Sequence, residues 1–424
     1  GYTRQSTVLY SNPNSLGVGD SVTRRLYSTY AQAQLWQDTS TYNQTNTTYS
    51  ELSQLDKYLS NSATSLADGI DSFFSSLQSA NSSPNTTAGR QNIMTQLSSL
   101  TSRFNSVSSD LASQYDGVNS KIATGIEDIN AKLASISDLN AQILKTPNAD
   151  DDGTKANLLD QRDELVRQLS EKLEIKTVNQ DNGTVQINLT TGQSLVLPGA
   201  YATLSVVNGD PDSQNTGIQL KLGQATTTLP NSSLGGELSG YFASRDTISA
   251  TQNELGQLSL AFADAMNTQN KLGMTLNNEL GKDLFLLPSS SGMAYSSNTG
   301  TASITANVSS GNAKNLTPNN FEVTYTATGV DISILDGNTK TSVYNNAVAS
   351  YPATINLANY GLTLDLSAGA NPDDKFLIQP THNAALTIST VTSRPEDLAM
   401  ASPLQLKSDS NNYSSATIKL DKIS

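Results

Sequence analysis

From about residue 91 to 144 apolar side chains recur mostly in steps of three and four: Ile93, Leu97, Leu100, Phe104, Val107, Leu111, Val118, Ile122, Ile129, Leu133, Ile136 and Ile143. A stripe this narrow is the seam of a coiled-coil-like helix. The beat lapses once, at Tyr115. As a single helix, roughly 54 residues at 1.5 Å each reach roughly 80 Å, the dimension of a rod. Gly117 and Gly125 weigh against continuity, since a helical glycine costs about 1 kcal/mol relative to alanine. An earlier stripe, Leu52, Leu55, Leu59, Leu66, Ile70, Phe73 and Leu77, has the same spacing. The break at Ser82-Ser83-Pro84-Asn85 predicts a turn after it, so the two helices pack antiparallel. Further helices are expected from about Lys155 to Leu173 and from about Gly240 to Leu272.

Elsewhere the period is two. Ile175, Val178, Val185, Ile187 and Leu189 flank Asp181-Asn182-Gly183, a hairpin signal because Asn-Gly tolerates positive φ. Ile218, Leu220 and Leu222 alternate in the same segment, and strands return from about residue 301 at Ile304, Phe321, Leu362 and Phe376, with a turn at Asp336-Gly337-Asn338. The order predicts an α+β fold: an elongated antiparallel helical rod, coiled-coil-like, with inserted antiparallel β domains. Its parts are a helical rod domain at 1–172, with 233–280 returning to helix, and a β domain at 173–232. More β structure follows at 281–402, and 403–424 starts a return to the helical region.

Composition then narrows the chemistry. The 424 residues exceed what one core usually organises. Charged residues make up only 15%, against about 25% in ordinary proteins, so Ser, Thr, Asn and Gln carry the polarity. Lys+Arg 25 against Asp+Glu 38 gives a net charge of −13, which argues against nucleic acid and membrane surfaces as partners. Cys is 0, so disulfides, thiolate metal sites and cysteine nucleophiles are excluded, and a chain exported unfolded through a narrow channel gains from lacking cross-links. No apolar run approaches the ~18 residues of a membrane helix. The opening Gly1-Tyr2-Thr3-Arg4-Gln5 is no signal peptide, and the chain reads as the interior of a longer protein.

Candidate chemistry is sparse. His382 is the single His, too little imidazole for a dyad or a zinc site, and is expected in a surface loop. Gly19-Asp20-Ser21-Val22 resembles an esterase nucleophile block, but His382 has no Asp three residues before it. Asn148, Asp150, Asp152 and Gly153 match the first positions of an EF-hand loop, whose twelfth position, Leu159, offers no carboxylate; an acidic solvated turn is the expectation. Asp163 and Arg167, four apart on a helix, predict an exposed ion pair of a few tenths of a kcal/mol. No catalytic residue, metal or cofactor is expected. The residues alone leave a structural or interaction protein, with a secreted adhesin or glycan-binding protein using Tyr-rich β domains as the alternative and a secreted hydrolase behind it.

Several fragments resemble one family. Gly1-Tyr2-Thr3-Arg4-Gln5 is similar to a block near the start of flagellar rod, hook and hook-associated proteins. Gly17-Val18-Gly19, Arg24-Arg25-Leu26-Tyr27, Ala88-Gly89-Arg90, Phe104-Asn105, Ile129-Asn130 and Leu139-Asn140 resemble the flagellar hook-associated protein 1 family, the first hook–filament junction proteins. The most specific stretch is Asn157-Leu158-Leu159-Asp160-Gln161-Arg162-Asp163-Glu164-Leu165, followed by Gly236-Glu237-Leu238-Ser239-Gly240 and Arg245-Asp246. Asp373-Asp374-Lys375-Phe376, Ala384-Ala385 and Ala399-Met400-Ala401 continue the likeness. Asn270 stands where the family often has His, which argues against chemistry there. The resemblance implies a non-enzymatic adaptor joining hook to filament, exported by the flagellar secretion apparatus and lying outside the cell. Implied partners are the hook protein, the second junction protein, copies of itself in a ring, and an export chaperone through a C-terminal region missing here. The family's terminal axial helices are expected to be missing at both ends.

Overall fold

The computed structural model describes the backbone of residues 4–11, 18–26, 28–60, 65–146, 154–337, 339–402, 404–408 and 418–422, and the side chains of 28–60, 65–146, 154–337 and 339–402. The EF-like run Asn148 to Gly153, Gly1 to Thr3, Gly17, Tyr27 and Asn338 lie outside the described residues.

Among the described residues five long helices carry the fold: α1 (Thr29–Leu59), α2 (Leu66–Asn81), α3 (Thr87–Lys145), α4 (Thr154–Lys172) and α5 (Gly236–Lys271). The 59 residues of α3 form one helix through both glycines. Gly117 meets open space, while a Cβ at Gly125 would rest 3.4 Å from Leu238, so each is tolerated without a break. The seam residues Ile93, Leu97, Leu100, Phe104, Val107, Leu111, Ile122, Ile129, Leu133 and Ile136 are each at most 2% exposed. The earlier stripe belongs to two helices rather than one, because α1 ends at Leu59 and Ser65 caps α2 by accepting the Asp68 N–H at 3.2 Å.

Two compact units result: Gly1–Leu55, Gln114–Gly209 and Ser213–Thr247 form the first, and Asp56–Ser113, Asp210–Asp212 and Ile248–Ser424 the second. The division therefore cuts α1, α3 and α5 instead of separating a helical piece from β pieces, as the domain scheme read from the sequence has it. The physical reason is local: Leu204 and Val185 bond to α3 within the first unit, and Phe285 to α5 within the second.

In the first unit β1 (Arg4–Ser11) pairs antiparallel with β2 (Val18–Leu26). β3 (Ile175–Asn179), β4 (Val185–Leu189), β5 (Ser194–Leu197) and β6 (Ala200–Tyr201) form one antiparallel sheet. β7 (Thr203–Val207), β8 (Gly217–Leu222) and β9 (Ala225–Leu229) form another. Gly183 adopts φ +88° in the predicted turn, where Asn182 Oδ1 accepts the Thr184 N–H at 3.0 Å. Here α5 runs antiparallel to α3, Leu238 lying by Gly125 and Arg245 by Asn119.

In the second unit α2 runs antiparallel to α3, with Ala80 against Gly89 and Gly69 against Leu100 and Arg103. The Tyr58 hydroxyl donates to Asp110; burial first and then that carboxylate push its pKa up to about 12. Phe262 of α5 stacks edge-on against Phe73 and Phe285, at 5.5 and 5.8 Å between ring centroids.

The β structure of this unit comprises β10 (Phe285–Leu286), β11 (Ser290–Ser291), β12 (Met293–Ala294), β13 (Ile304–Val308), β14 (Asn320–Tyr325), β15 (Gly329–Asp336) and β16 (Thr339–Ala347). β17 (Ala353–Leu357), β18 (Leu362–Leu366), β19 (Lys375–Ile378) and β20 (Ser389–Thr390) complete it. The sheets β11-β13-β18-β17 and β12-β19-β14-β15-β16 enclose one core, to which Ile304, Leu364, Phe321, Val323, Ile332 and Phe376 contribute. Alternate residues of β14 and β18 point into that core, as the period-two pattern requires, while β16 at the sheet edge has no buried residue. Last come β21 (Leu404–Ser408) and β22 (Ile418–Lys422), paired antiparallel where the sequence reading starts a return to helix. Leu404, Leu406, Ile418 and Leu420 alternate with polar residues, a strand period that the helical expectation overlooked.

Candidate functional site

A seam residue turns its side chain to a neighbouring helix, and the next residue is rotated by about 100°, to the edge of the buried face. Several asparagines occupy that edge position, and a primary amide there can imitate a peptide group, donating with Nδ2 and accepting with Oδ1. In the first unit Asn130, after Ile129, donates to Leu204 O at 2.8 Å and accepts Leu204 N–H at 2.8 Å. Asn140, after Leu139, does the same with Val185, at 2.8 and 3.1 Å. Each thus acts as a one-residue strand partner, fixing β7 and β4 to α3.

Two arginines extend the pattern. Arg162, 4% exposed, donates to Gly183 O at 2.6 Å and to Asp163 Oδ1 at 2.8 Å, holding the β3–β4 turn against α4. Of the family motif, Asp160, Arg162 and Asp163 are buried, Leu158 and Leu159 half-buried, and Asn157 and Gln161 exposed. The expected exposed pair between Asp163 and Arg167 is therefore not the one formed. Arg162 takes Asp163, and Arg167 bridges Glu164 at 2.7 Å and Glu171 at 2.6 Å. The Arg167 hydrogen bond lowers the Glu164 pKa to about 2.

Arg245, 1% exposed, donates to Thr216 O at 2.8 Å, Asn119 Oδ1 at 3.2 Å and Asn215 Oδ1 at 2.7 Å. Its guanidinium lies over the rings of Phe242 and Tyr115, at 4.8 and 5.8 Å. This explains the lapse in the apolar beat: position 115 needs a ring that faces a cation and a hydroxyl that donates to Gln214 O at 3.2 Å.

The Gly236-to-Gly240 fragment is a joint of the same kind. Gly235 and Gly236 adopt φ +66° and +57°, and a Cβ on Gly236 would stand 2.4 Å from the Lys172 carbonyl carbon, so only glycine fits. Glu237 pairs with Lys172 at 2.6 Å, the Ser239 hydroxyl accepts Gly235 N–H at 2.8 Å, and Gly240 lets α1 approach, its Cβ position 2.7 Å from Gln44 O.

The second unit repeats the device. Asn105, after Phe104, donates to Ala385 O at 2.8 Å and Leu386 O at 3.0 Å. Asn267 accepts Leu284 and Phe285 N–H at 2.8 Å each and donates to Phe285 O at 2.9 Å. Asn270 accepts Ala399 N–H at 2.7 Å and donates to Lys282 O at 2.7 Å. Arg90 donates to Pro84 O at 2.8 Å and to Leu398 O, and burial lowers its pKa. Asp264 accepts Gly311 and Ala313 N–H, and Asp374 accepts those of Thr299, Gly300 and Asn371, whose bonds lower its pKa.

His382 is not the surface residue the sequence suggests. It is half-buried with Nδ1 3.1 Å from Asn253 Oδ1, and burial lowers its pKa against the opposing pull of Asp212. Among the described residues no group of three His, Asp or Glu is arranged to hold a metal ion, and no helix is long and apolar enough to cross a membrane. The edge-position amides escaped the sequence reading because an Asn in a helix reads as solvent-facing; the available signal was that each of Asn105, Asn130 and Asn140 directly follows an apolar residue of the buried face.

The family model of the flagellar hook-associated protein FlgK helical domain matches residues 52–285. Flagellar hook-associated protein 1 of Escherichia coli (strain K12) is 29% identical over 434 residues, covering 99% of this chain and 77% of that protein. That of Salmonella typhimurium is 30% identical over 424 residues, covering 96% and 75%. The solved structure of the flagellar hook junction protein FlgK from Burkholderia pseudomallei superposes with a TM-score of 0.77 at 27% identity, over 89% of this chain and 68% of that one.

Proposed function

Because the chain belongs to the flagellar hook-associated protein 1 family, we propose that it works as a non-enzymatic structural adaptor of the bacterial flagellum, joining hook to filament outside the cell. The observation that most supports a mechanical role is where the buried and half-buried polar groups go. Asn105, Asn130, Asn140, Asn267, Asn270, Arg90, Arg162 and Arg245 each bond backbone groups of segments packed against the helices, and Arg162 and Arg245 add side-chain acceptors. A joint between two protein lattices must hold its segments in fixed geometry under load, and bidentate amides do so without charge repulsion. The relatives favour this reading over a surface adhesin. Its partners are the hook protein on one side, the second junction protein on the other, and neighbouring copies in a ring; the flagellar secretion apparatus exports it, a route suited by the lack of Cys.

Gold labelling of an epitope-tagged full-length protein, viewed by electron microscopy, tests the reading. Label is expected at the boundary between hook and filament. Label spread along the cell body or held inside the cell would overturn it.

A further inference from the structure

α1 carries two faces. Trp36, Ser40, Thr47 and Leu55 are buried against the rest of their unit. Beside them Leu35, Tyr42 and Tyr49 recur every seventh residue yet stand 54%, 67% and 73% exposed, with Thr45 between the tyrosines and half-buried Leu52 one turn on. This is a second heptad seam with nothing against it among the described residues.

Its polar neighbours are already satisfied. Thr41, Thr45 and Thr48 donate their hydroxyls to Gln37 O, Thr41 O and Gln44 O at 2.9 to 3.1 Å, and Asn43 donates to Thr39 O at 2.8 Å. Covering them with protein strands fewer unpaired donors than an ordinary polar face would. Charge is absent too. From Ser40 to Ser50 no residue is charged, and Asp38 is the one ionised side chain between Tyr30 and Glu51, itself accepting from Gln34 Nε2 at 2.8 Å.

We infer that this seam on α1, Leu35, Tyr42 and Tyr49, is the face on which a second copy of this chain packs when the protein is assembled. The occupant follows from electrostatics. Copies carrying −13 each repel, and they approach most readily through a stretch where neither sign of charge is presented. Three large side chains fall well short of the ~1,200 Å² that a stable pair buries, so the contact forms only on an assembled template and not in dilute solution. The inference rests on the proposed place in the flagellum and adds to it the face and the neighbour.

The test replaces Tyr42 by photoreactive p-benzoylphenylalanine (Tyr42→p-benzoylphenylalanine) in the full-length protein, expressed in a flagellated cell lacking its own copy. Isolated flagella are irradiated, and an immunoblot reads the products. A ladder at multiples of the protein's own mass is expected, and it should be lost when Tyr49→Asp is added, while Tyr201→p-benzoylphenylalanine, on a different exposed surface, should give none. A product joined to a different flagellar protein, or no product from isolated flagella that contain the variant, would overturn the inference and leave the function standing. Absence of the protein from the flagella would instead count against the function, and a ladder from Tyr201 equal to that from Tyr42 would overturn the choice of face.

Discussion

Replacing Asn130 by leucine keeps the volume and the helix while deleting both bonds to Leu204. Leu204 is 3% exposed, so water does not replace the lost partner of its N–H and C=O. Two net hydrogen bonds at about 1 kcal/mol each, with the desolvation of two stranded backbone groups at about 1 to 3 kcal/mol each, place the upper bound near 8 kcal/mol. Local relaxation brings the expected loss to about 3 kcal/mol, of the size that removal of a buried network member produces. Urea unfolding followed by circular dichroism measures it, and amide hydrogen exchange at Leu204 reads the same bond directly. Asn130→Asp keeps an acceptor for the Leu204 N–H and should cost less, and Asn46→Leu, on an exposed helical face, should be within about 0.5 kcal/mol of the parent. A loss from Asn130→Leu no larger than that of Asn46→Leu, with unchanged exchange at Leu204, would refute the view that edge-position amides fasten the sheets.

Other outcomes follow from the same geometry. Leu100→Asp places an unpaired charge at a position 1% exposed and should lower stability by about 4 kcal/mol in thermal or urea melts, whereas His382→Ala should cost under about 2 kcal/mol. Arg245→Met takes the donor from Asn215 Oδ1, leaves Thr216 O and Asn119 Oδ1 with only their long bonds from Asn231 and the Thr216 hydroxyl, and removes the guanidinium from the Phe242 and Tyr115 rings; about 3 kcal/mol should go, with exchange at residues 215–217 rising first. The folded-state pKa of Glu164, about 2, lies below its ordinary 4.5, so its pairing stabilises the fold above pH ~4.5 and that contribution fades as pH falls toward 2. Because both Glu164 and Arg167 are partly solvated, Glu164→Gln should remove only about 0.5 kcal/mol at neutral pH and flatten the acid limb of the stability curve slightly.

The long helices were legible because burial follows the heptad: every seam position from Ile93 to Ile136 is inside. The hairpin at Asn182-Gly183 was legible because a positive φ leaves few residue choices. What the periodicity could not carry was long-range partnership. Arg90 with Leu398, Asn105 with Ala385, and Asn270 with Ala399 are separated by more than a hundred residues, yet five of these six positions lie in or beside fragments that carry the family resemblance. A polar residue beside a seam gives its type but not its acceptor, since the acceptor is a backbone group that every residue possesses. Charge spacing misled for a related reason. Asp163 and Arg167 satisfy the i,i+4 rule, but burial of Arg162 against Gly183 O claims Asp163 first. The break between α1 and α2 was missed because Leu59 and Leu66 keep the heptad beat across it.

The most direct measurement is the number of filaments, counted by electron microscopy, on flagellated cells from which the full-length protein has been removed. The account predicts hooks in normal number with few filaments attached, and recovery when the full-length protein is restored. Filaments persisting in normal number and firmly attached without the protein would contradict its place as the joint between hook and filament.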